Sequence, residues 1–248
     1  GIKIFEKKGF EADDVIGTIV EMVDKDDKGA TDDAEVETII VTGDMDTLQL
    51  VDDERVRVYT LKKGINDTIL YDEKAVVARF GFLPALIPDW KGLRGDPSDN
   101  IKGIPGIGEK TATTLITNFG TIEKLYTTLK KGDEVFLEKG IKSRIIGLLK
   151  EHEEDARFSK ALATIRLDAP IAFVLPEKVW REAVDTKKVF ELFEEFGFRS
   201  LRERAKNVLM KSVDSDSSHE ESEMGQEFIH EVVDPVRLSD AQIMLWLI

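Results

Sequence analysis

Apolar residues at Ala12, Val15, Ile16, Ile19, Val20 and Val23 recur with the spacing of one helix face and predict a helix over residues 11–23. Ile2 to Phe5, before it, has the composition of a short strand. A polar stretch over residues 24–34 reads as a loop. Val36 to Val41 then forms a β-branched run short enough for a buried strand, closed by Thr42-Gly43. Asp44 to Leu50 starts another helix. Val56–Tyr59 and Thr68–Tyr71 flank Gly64-Ile65-Asn66-Asp67 as a hairpin, and Asp72 is placed to cap a helix over Glu73–Phe80. Alternating strands and helices make this first part α/β.

From Pro84 the periodicity changes. Pro84–Leu93, Glu109–Asn118, Thr121–Leu129, Asp133–Leu149, Glu151–Ala163, Lys187–Phe196 and Arg199–Met210 read as helices joined by glycine or short polar turns. The one further strand expected is Ile171–Val174. The pattern divides the chain into an α/β core over residues 1–83 and an all-helical subdomain over 84–207. An acidic linker follows over 208–227, and apolar character returns over 228–248 as the expected start of a following domain.

Composition narrows the chemistry. With 248 residues, 42% of them hydrophobic, the chain can fill a sizeable core. It has no cysteine, which excludes disulfides, thiolate nucleophiles, zinc ribbons and iron-sulfur clusters and suits a reducing cytoplasm. No apolar run reaches the length of a membrane span, so no membrane is expected as a partner. The first residues are neither a signal peptide nor a methionine start, and the chain is expected to be a fragment. The three histidines are scattered, and no serine sits in a nucleophile elbow, which argues against acyl-transfer hydrolysis.

A net charge of -14 is at first sight unsuited to a nucleic-acid binder. The charge is uneven, however. Ser212 to Asp234 holds eight acidic residues and no basic one, whereas Asp89 to Lys150 holds eleven basic residues against eight acidic. The serine- and glutamate-rich acidic segment reads as a disordered linker.

Three acidic clusters lie in the first hundred residues: Glu11-Ala12-Asp13-Asp14, Asp44-Met45-Asp46 and Asp96-Pro97-Ser98-Asp99. Asp44 and Asp46 follow the carboxyl end of a buried strand, the edge where open α/β sheets bind ligands. One of the two could simply cap the next helix, but capping needs only one. Glu11, Asp13 and Asp14 also suit the positive end of a helix dipole. Spacing lets Glu11 and Asp14 face one site while Asp13 points elsewhere, so at most two of the three should be direct ligands. Asp96 and Asp99 lie in a stretch ideal for a turn, and a tight turn would present both to the same side. Oxygen-only donors select hard ions such as Mg2+ or Mn2+, and two such ions are the usual apparatus for in-line cleavage of a phosphodiester.

Gly103-Ile104-Pro105-Gly106-Ile107-Gly108-Glu109-Lys110-Thr111-Ala112 follows the third cluster. It lacks the Gly-Lys-Ser/Thr of a phosphate loop and a third glycine for a dinucleotide fingerprint. A helix, tight turn, helix reading remains, in which Gly106 and Gly108 let the backbone approach a phosphate and Lys110 adds charge. The alternative is an ordinary helical hairpin with glycine caps.

Taken in order, Gly9–Val15, Thr42–Leu50, Leu93–Asn100 and Gly103–Ala112 closely resemble the 5' nuclease domain of bacterial DNA polymerase I, a family that includes phage 5' exonucleases and flap endonucleases. The resemblance runs to about Ala205 and includes Phe196–Leu201. It implies a PIN-like α/β core with a mostly parallel sheet, followed by a helical subdomain whose helix-hairpin-helix grips duplex DNA. By position, Glu11, Asp13, Asp14, Asp44, Asp46, Asp96 and Asp99 match the family's metal-site acids, serving two Mg2+ or Mn2+ ions. Gly103, Ile104, Gly106, Ile107, Gly108, Lys110 and Thr111 match the segment that contacts the DNA backbone with help from a monovalent cation such as K+. The implied substrates are 5'-flap or nicked duplex DNA and RNA primers, and the implied state is a monomer continuous with polymerase domains. The family's domain has roughly another hundred residues upstream, including its first strand and basic arch, so the isolated chain is expected to bind or cut poorly. Rival readings are a non-catalytic duplex-binding module and a PIN-type ribonuclease, the latter disfavoured by the hairpin region.

Overall fold

Strand β1 (Thr38–Val41) lies inside the sheet of the computed structural model, which describes residues 3–27, 36–53, 55–62, 67–178, 180–210 and 245–246. It pairs in parallel with β2 (Val56–Leu61), Thr38 opposite Val56 and Val41 opposite Tyr59. β3 (Thr68–Tyr71) returns antiparallel beside β2, so the predicted hairpin forms, while residues 63–66 of its turn lie outside the described residues. A two-residue strand, β4 (Leu245–Trp246), adds in parallel on the other side of β1, giving the order β3-β2-β1-β4. Two of the three pairings are parallel, as the mostly parallel expectation required. Along β2 the period of two is visible: Val56, Val58 and Thr60 are buried while Leu61, last in the strand, is exposed.

Helix α1 (Ala12–Asp27) buries Val15, Ile16, Ile19, Val20 and Val23 of the stripe read from the sequence, leaves its first member Ala12 exposed, and continues into what was expected to be loop. Residues 28–35 lie outside the described residues. Asp72 caps α2 (Glu73–Phe80) by accepting from the Ala75 amide at 2.7 Å, as predicted. The expected helix at Asp44–Leu50 is a 3-10 helix over Met45–Leu50, and Pro84–Leu93 divides into a 3-10 turn at Pro84–Leu86 and α3 (Ile87–Arg94).

The helices beyond are α4 (Glu109–Phe119), α5 (Ile122–Leu129), α6 (Glu134–Glu138), α7 (Ser143–Glu151) and α8 (Glu153–Ala163). The single helix expected over Asp133–Leu149 is broken. Gly140 takes a left-handed φ of 75°, and the Ile141 amide turns back to the Phe136 carbonyl at 2.9 Å, closing α6. Two expected strands are absent. Residues 3–5 find no ladder partner, and Ile4 is 91% exposed; Ile171–Val174 is likewise unpaired and irregular.

One hydrophobic cluster joins sheet and helices, from Ile16 and Ile40 through Leu48, Val58 and Leu93 to Leu115, Leu125, Leu149 and Ala156. Its tightest crossing is α3 on α8. A methyl on Gly92 would stand 2.8 Å from Ile122 Cδ1 and 2.9 Å from the Ala156 carbonyl, so only glycine permits that approach. After α8 the chain recrosses α1, where Ala169 donates its amide to Thr18 Oγ1 at 3.0 Å. Residues 5–173 with 244–248 form one compact unit.

Residues 174–243 with 1–4 form another unit. Its described part holds α9 (Trp180–Ala183), α10 (Thr186–Glu195) and α11 (Arg199–Met210). Asp185 caps α10, and Phe193 and Phe196 both pack against Phe198 around the Gly197 turn. The proposed linker and following domain lie outside the described residues except for the end of α11 and β4. Among the described residues no helix is long and apolar enough to cross a membrane.

A candidate metal centre at the end of strand β1

Beyond Val41 the chain must leave the sheet, and short polar side chains fix how. Thr42 Oγ1 accepts from the Asp44 amide at 2.9 Å, Asp44 Oδ1 accepts from the Asp46 amide at 2.9 Å, and Thr47 Oγ1 donates to the Asp44 carbonyl at 2.8 Å. Asp44 therefore does cap the 3-10 turn, the bland reading of the sequence. That cap also aims Asp46 inward, where its carboxylate meets the ammonium of Lys91.

The second arm comes from the end of α3. Gly95, at φ 76°, stops the helix, and a methyl there would lie 2.6 Å from the Lys102 carbonyl oxygen. Asp96 and Ile101 then exchange both backbone hydrogen bonds at 2.8 Å, closing the predicted turn. Ser98 donates its amide, at 3.1 Å, and its hydroxyl to Asp96 Oδ1, which leaves Oδ2 to face Lys91 at 2.6 Å. Asp99 Oδ2 stands 3.5 Å from the same ammonium. Oxygens of Asp46, Asp96 and Asp99 all lie within 4.8 Å of one another. Desolvation works against the Asp96 anion, but the Lys91 ammonium and the Ser98 donors outweigh it and hold that carboxyl below the usual carboxylate range. Desolvation likewise works against the Lys91 charge, and hydrogen bonds to Asp46 and Asp96 hold the ammonium above the usual lysine range.

The third arm is the first turn of α1. Burial, with the charges of Asp44, Asp46, Glu11 and Asp14, pushes the Asp13 carboxyl up to about 7. Asp13, half-buried, is thus coupled through charge to the strand-end pair. Asp14 instead serves backbone: its two oxygens accept from the Arg166 amide at 2.9 Å and the Glu11 amide at 3.1 Å. The sequence offered Glu11 and Asp14 as the pair facing one site and Asp13 as pointing elsewhere; in the structure Asp14 is engaged by two backbone amides. The helical spacing was right, but Arg166, supplied from the far side of α8, claims Asp14. Glu11 is exposed.

Oxygens from the second and third sequence clusters thus lie together at Asp46, Asp96 and Asp99, and the Asp13 carboxyl of the first feels the charges of Asp44 and Asp46. An oxygen-only donor set with more negative charge than its single lysine can balance fits a hard divalent ion. Sequence reasoning missed Lys91. Its signal was present: Lys91 lies four residues after Ile87, on a stripe otherwise occupied by buried apolar residues.

The glycine-rich segment separates into two faces. Gly103 is buried, and Ile104 and Ile107 are core side chains at 1% and 3% exposure, so they support the loop from beneath. Gly106, Gly108 and Lys110 are exposed, and Thr111 is half-buried. Gly106 needs its φ of 89°. Gly108 does not: its φ is -94°, and a methyl there would meet nothing within 4 Å.

Known proteins resemble this chain in sequence and in fold. Residues 1–81 match the family described as 5'-3' exonuclease, N-terminal resolvase-like domain, and residues 82–186 match 5'-3' exonuclease, C-terminal SAM fold. DNA polymerase I of Bacillus caldotenax is 38% identical over 225 residues, 91% of this chain and 23% of the relative. DNA polymerase I of Bacillus subtilis (strain 168) is 38% identical over 203 residues, 82% of this chain and 21% of the relative. The chain thus spans between a fifth and a quarter of the length of these curated relatives. Among solved structures, the T5 5'-exonuclease with bound divalent metal ions (zinc) superposes with a TM-score of 0.51 at 22% identity, covering 64% of this chain and 51% of that one. A bacteriophage T5 flap endonuclease complex with DNA and metal ions gives 0.50 at 22% identity, covering 66% and 52%. These two likenesses establish the fold: a resolvase-like, PIN-like α/β core with a mixed sheet and a helical C-terminal part.

Proposed function

Because the chain belongs to the 5'-3' exonuclease family, whose two domains it matches in succession, we propose that it hydrolyses phosphodiester bonds of DNA at a 5' end, using divalent ions held at the convergent acids. The observation that carries this is the gathering of Asp46, beyond the end of β1, with Asp96 and Asp99, from the turn after α3, within 4.8 Å of one another, the Asp13 carboxyl of α1 feeling the charges of Asp44 and Asp46. Asp46, Asp96 and Asp99 would hold one ion and Asp13 with Asp44 would contribute to a second, Mg2+ or Mn2+ in each case. Bound there, the ions would supply an activated water and charge neutralisation at the scissile phosphate. Glu11 and Asp14 act on the same site through its field and, for Asp14, by fixing the entry of α1. The excess negative charge argues against a module that merely holds DNA, since uncompensated carboxylates repel phosphates.

The substrate we propose is a 5' flap or nicked duplex, or an RNA primer, cut during replication and repair in the cytoplasm by a monomer. A helix-hairpin-helix formed by α3, residues 103–108 and α4 would hold the duplex, K+ assisting at the loop. Exposed Gly106, Gly108 and Lys110 would meet the backbone, and Thr111 would flank them. The proposed domain limits remain 1–83 for the nuclease core and 84–207 for the helical part, near the junction of the two family matches.

Asp44→Asn is a clean test, because asparagine caps a helix as well as aspartate and removes only the charge. With the family's upstream segment restored to the chain, divalent-dependent cleavage of a 5'-flap duplex should fall sharply; equal cleavage by the variant, or cleavage in chelator, would overturn the proposal. Gly108→Ala should weaken duplex binding on the order of three- to tenfold with an unchanged melting temperature, because the fold leaves room for the methyl and a docked phosphate would not. Preference for single-stranded RNA over duplex DNA in the same binding assay would favour the ribonuclease reading.

A further inference from the structure

Lys91 is an unusual resident of an acidic site. Its side chain is 6% exposed, and its ammonium contacts Asp46, lies 2.6 Å from Asp96 and 3.5 Å from Asp99. These are the same three residues whose oxygens lie within 4.8 Å of one another as a donor set for one cation. An ammonium has three N–H donors and no acceptor, so it can serve all three carboxylates at once. A divalent ion drawing on the same oxygens would face the ammonium at close range in a partly desolvated site, where like charges repel strongly.

Resting on the reading of this cluster as a metal centre, we infer that Lys91 is a built-in counter-ion: it holds Asp46, Asp96 and Asp99 together while no metal is bound, and a divalent ion must displace it from them to enter. Lys91 is then a positioning residue with an opposing effect on affinity. It keeps the three acids gathered, which favours a defined fold without metal, and it competes for their oxygens, which weakens metal binding. The flexible four-carbon stem lets the ammonium withdraw while its methylenes stay packed. The buried position explains why the charge is retained: with the lysine gone, three acids drawn together by α3 and the 3-10 turn would have no balancing cation.

The test is Mn2+ binding to the full chain, by calorimetry, for the unaltered protein and for Lys91→Met, Lys91→Arg and Asp96→Asn. Methionine keeps the apolar stem and removes the competitor, so Lys91→Met should bind Mn2+ at least about tenfold more tightly or take up one more ion. Lys91→Arg, retaining the charge, should bind as the unaltered chain does, and Asp96→Asn should bind more weakly. Without metal, Lys91→Met should melt below the unaltered chain, and Mn2+ should raise its melting temperature by the larger increment. If that variant is too unstable to purify in chelator, Lys91→Gln replaces it, with the same expected gain. Unchanged or weaker Mn2+ binding by Lys91→Met, or by Lys91→Gln in its place, beside measurable binding by the unaltered chain, would overturn the counter-ion role. Absence of Mn2+ binding by every form would instead overturn the metal-centre reading, and the inference with it.

Discussion

Two lysines, Lys91 buried and Lys160 half-buried, meet carboxylates on either side of α3, and they do opposite things. Lys160 on α8 lies 2.7 Å from Asp89 and 2.8 Å from Glu123. Asp89 is buried and also accepts from the Ile122 amide at 2.7 Å, so it ties α8 and the start of α5 to α3. Every charge there has its partner, and desolvation, which would weaken the Lys160 ammonium, is outweighed by those hydrogen bonds. Lys91 sits one helical half-turn from Asp89 and faces Asp46, Asp96 and Asp99, with Asp13 and Asp44 beyond them. One cation cannot balance that many anions, and burial together with the surplus charge leaves an Asp13 carboxyl that resists ionisation. A balanced network joins helices; an unbalanced one stores like-charge repulsion that a divalent ion relieves.

If that contrast is right, neutralising one charged partner should damage chemistry around Lys91 and stability around Lys160. Asp96→Asn should lower divalent-dependent turnover on the order of 100-fold or more, because each ligand charge contributes to holding the ions. Its effect on DNA affinity should be small, and its amide oxygen can still accept from Ser98. Comparable losses in turnover and in duplex binding would break the comparison. On the other side, Lys160→Met should cost about 2–3 kcal/mol of stability, a figure lowered for the lysine's partial exposure, since Asp89 would stay buried without its cation. Thermal melts would read this, and flap cleavage below the melting temperature should be little changed.

The acids on one side of this contrast were legible in the sequence, the two lysines were not, and the reasons are specific. Asp44 and Asp46 could be read because a β-branched run fixed the strand end just before them, and Asp72 because a cap has a local signature. The turn at Asp96–Asn100 carried its own residue types. Rotational choices were not legible. Whether Asp13 or Asp14 faces the site depends on Arg166, 152 residues from Asp14 in sequence, arriving to claim one carboxylate. Ile104 and Ile107 were read with the DNA-facing loop because glycines surround them, whereas the core beneath α3 and α4 takes them in. The break at Gly140 was hidden by apolar periodicity on both sides of it. Lys91 went unread because an inward lysine is normally an error of phase, and here the phase was right.

The smallest effect sharpens the comparison most, because its sign is opposite. Asp13 has a folded-state carboxyl at about 7 against an ordinary value of 3.8. Between those values the folded chain holds a proton that the unfolded chain has lost, so stability falls as pH rises through this window. Asp96 contributes in the reverse direction: its carboxyl is held low in the fold, so its stabilisation is present above the ordinary carboxylate value and lost under stronger acid. Asp13→Asn should therefore match the unaltered chain near pH 4 and exceed it above pH 7 by on the order of 1 to 2 kcal/mol once solvent screening is allowed for. Paired denaturant titrations in chelator at several pH values would measure the difference. Saturating Mg2+ should shrink or invert it, because the ion then supplies the balancing charge and the asparagine supplies none. A variant less stable than the unaltered chain at pH 8 in chelator would mean that Asp13 is held by a stabilising partner, and the picture of an uncompensated acidic cleft opposite a compensated helix junction would fail.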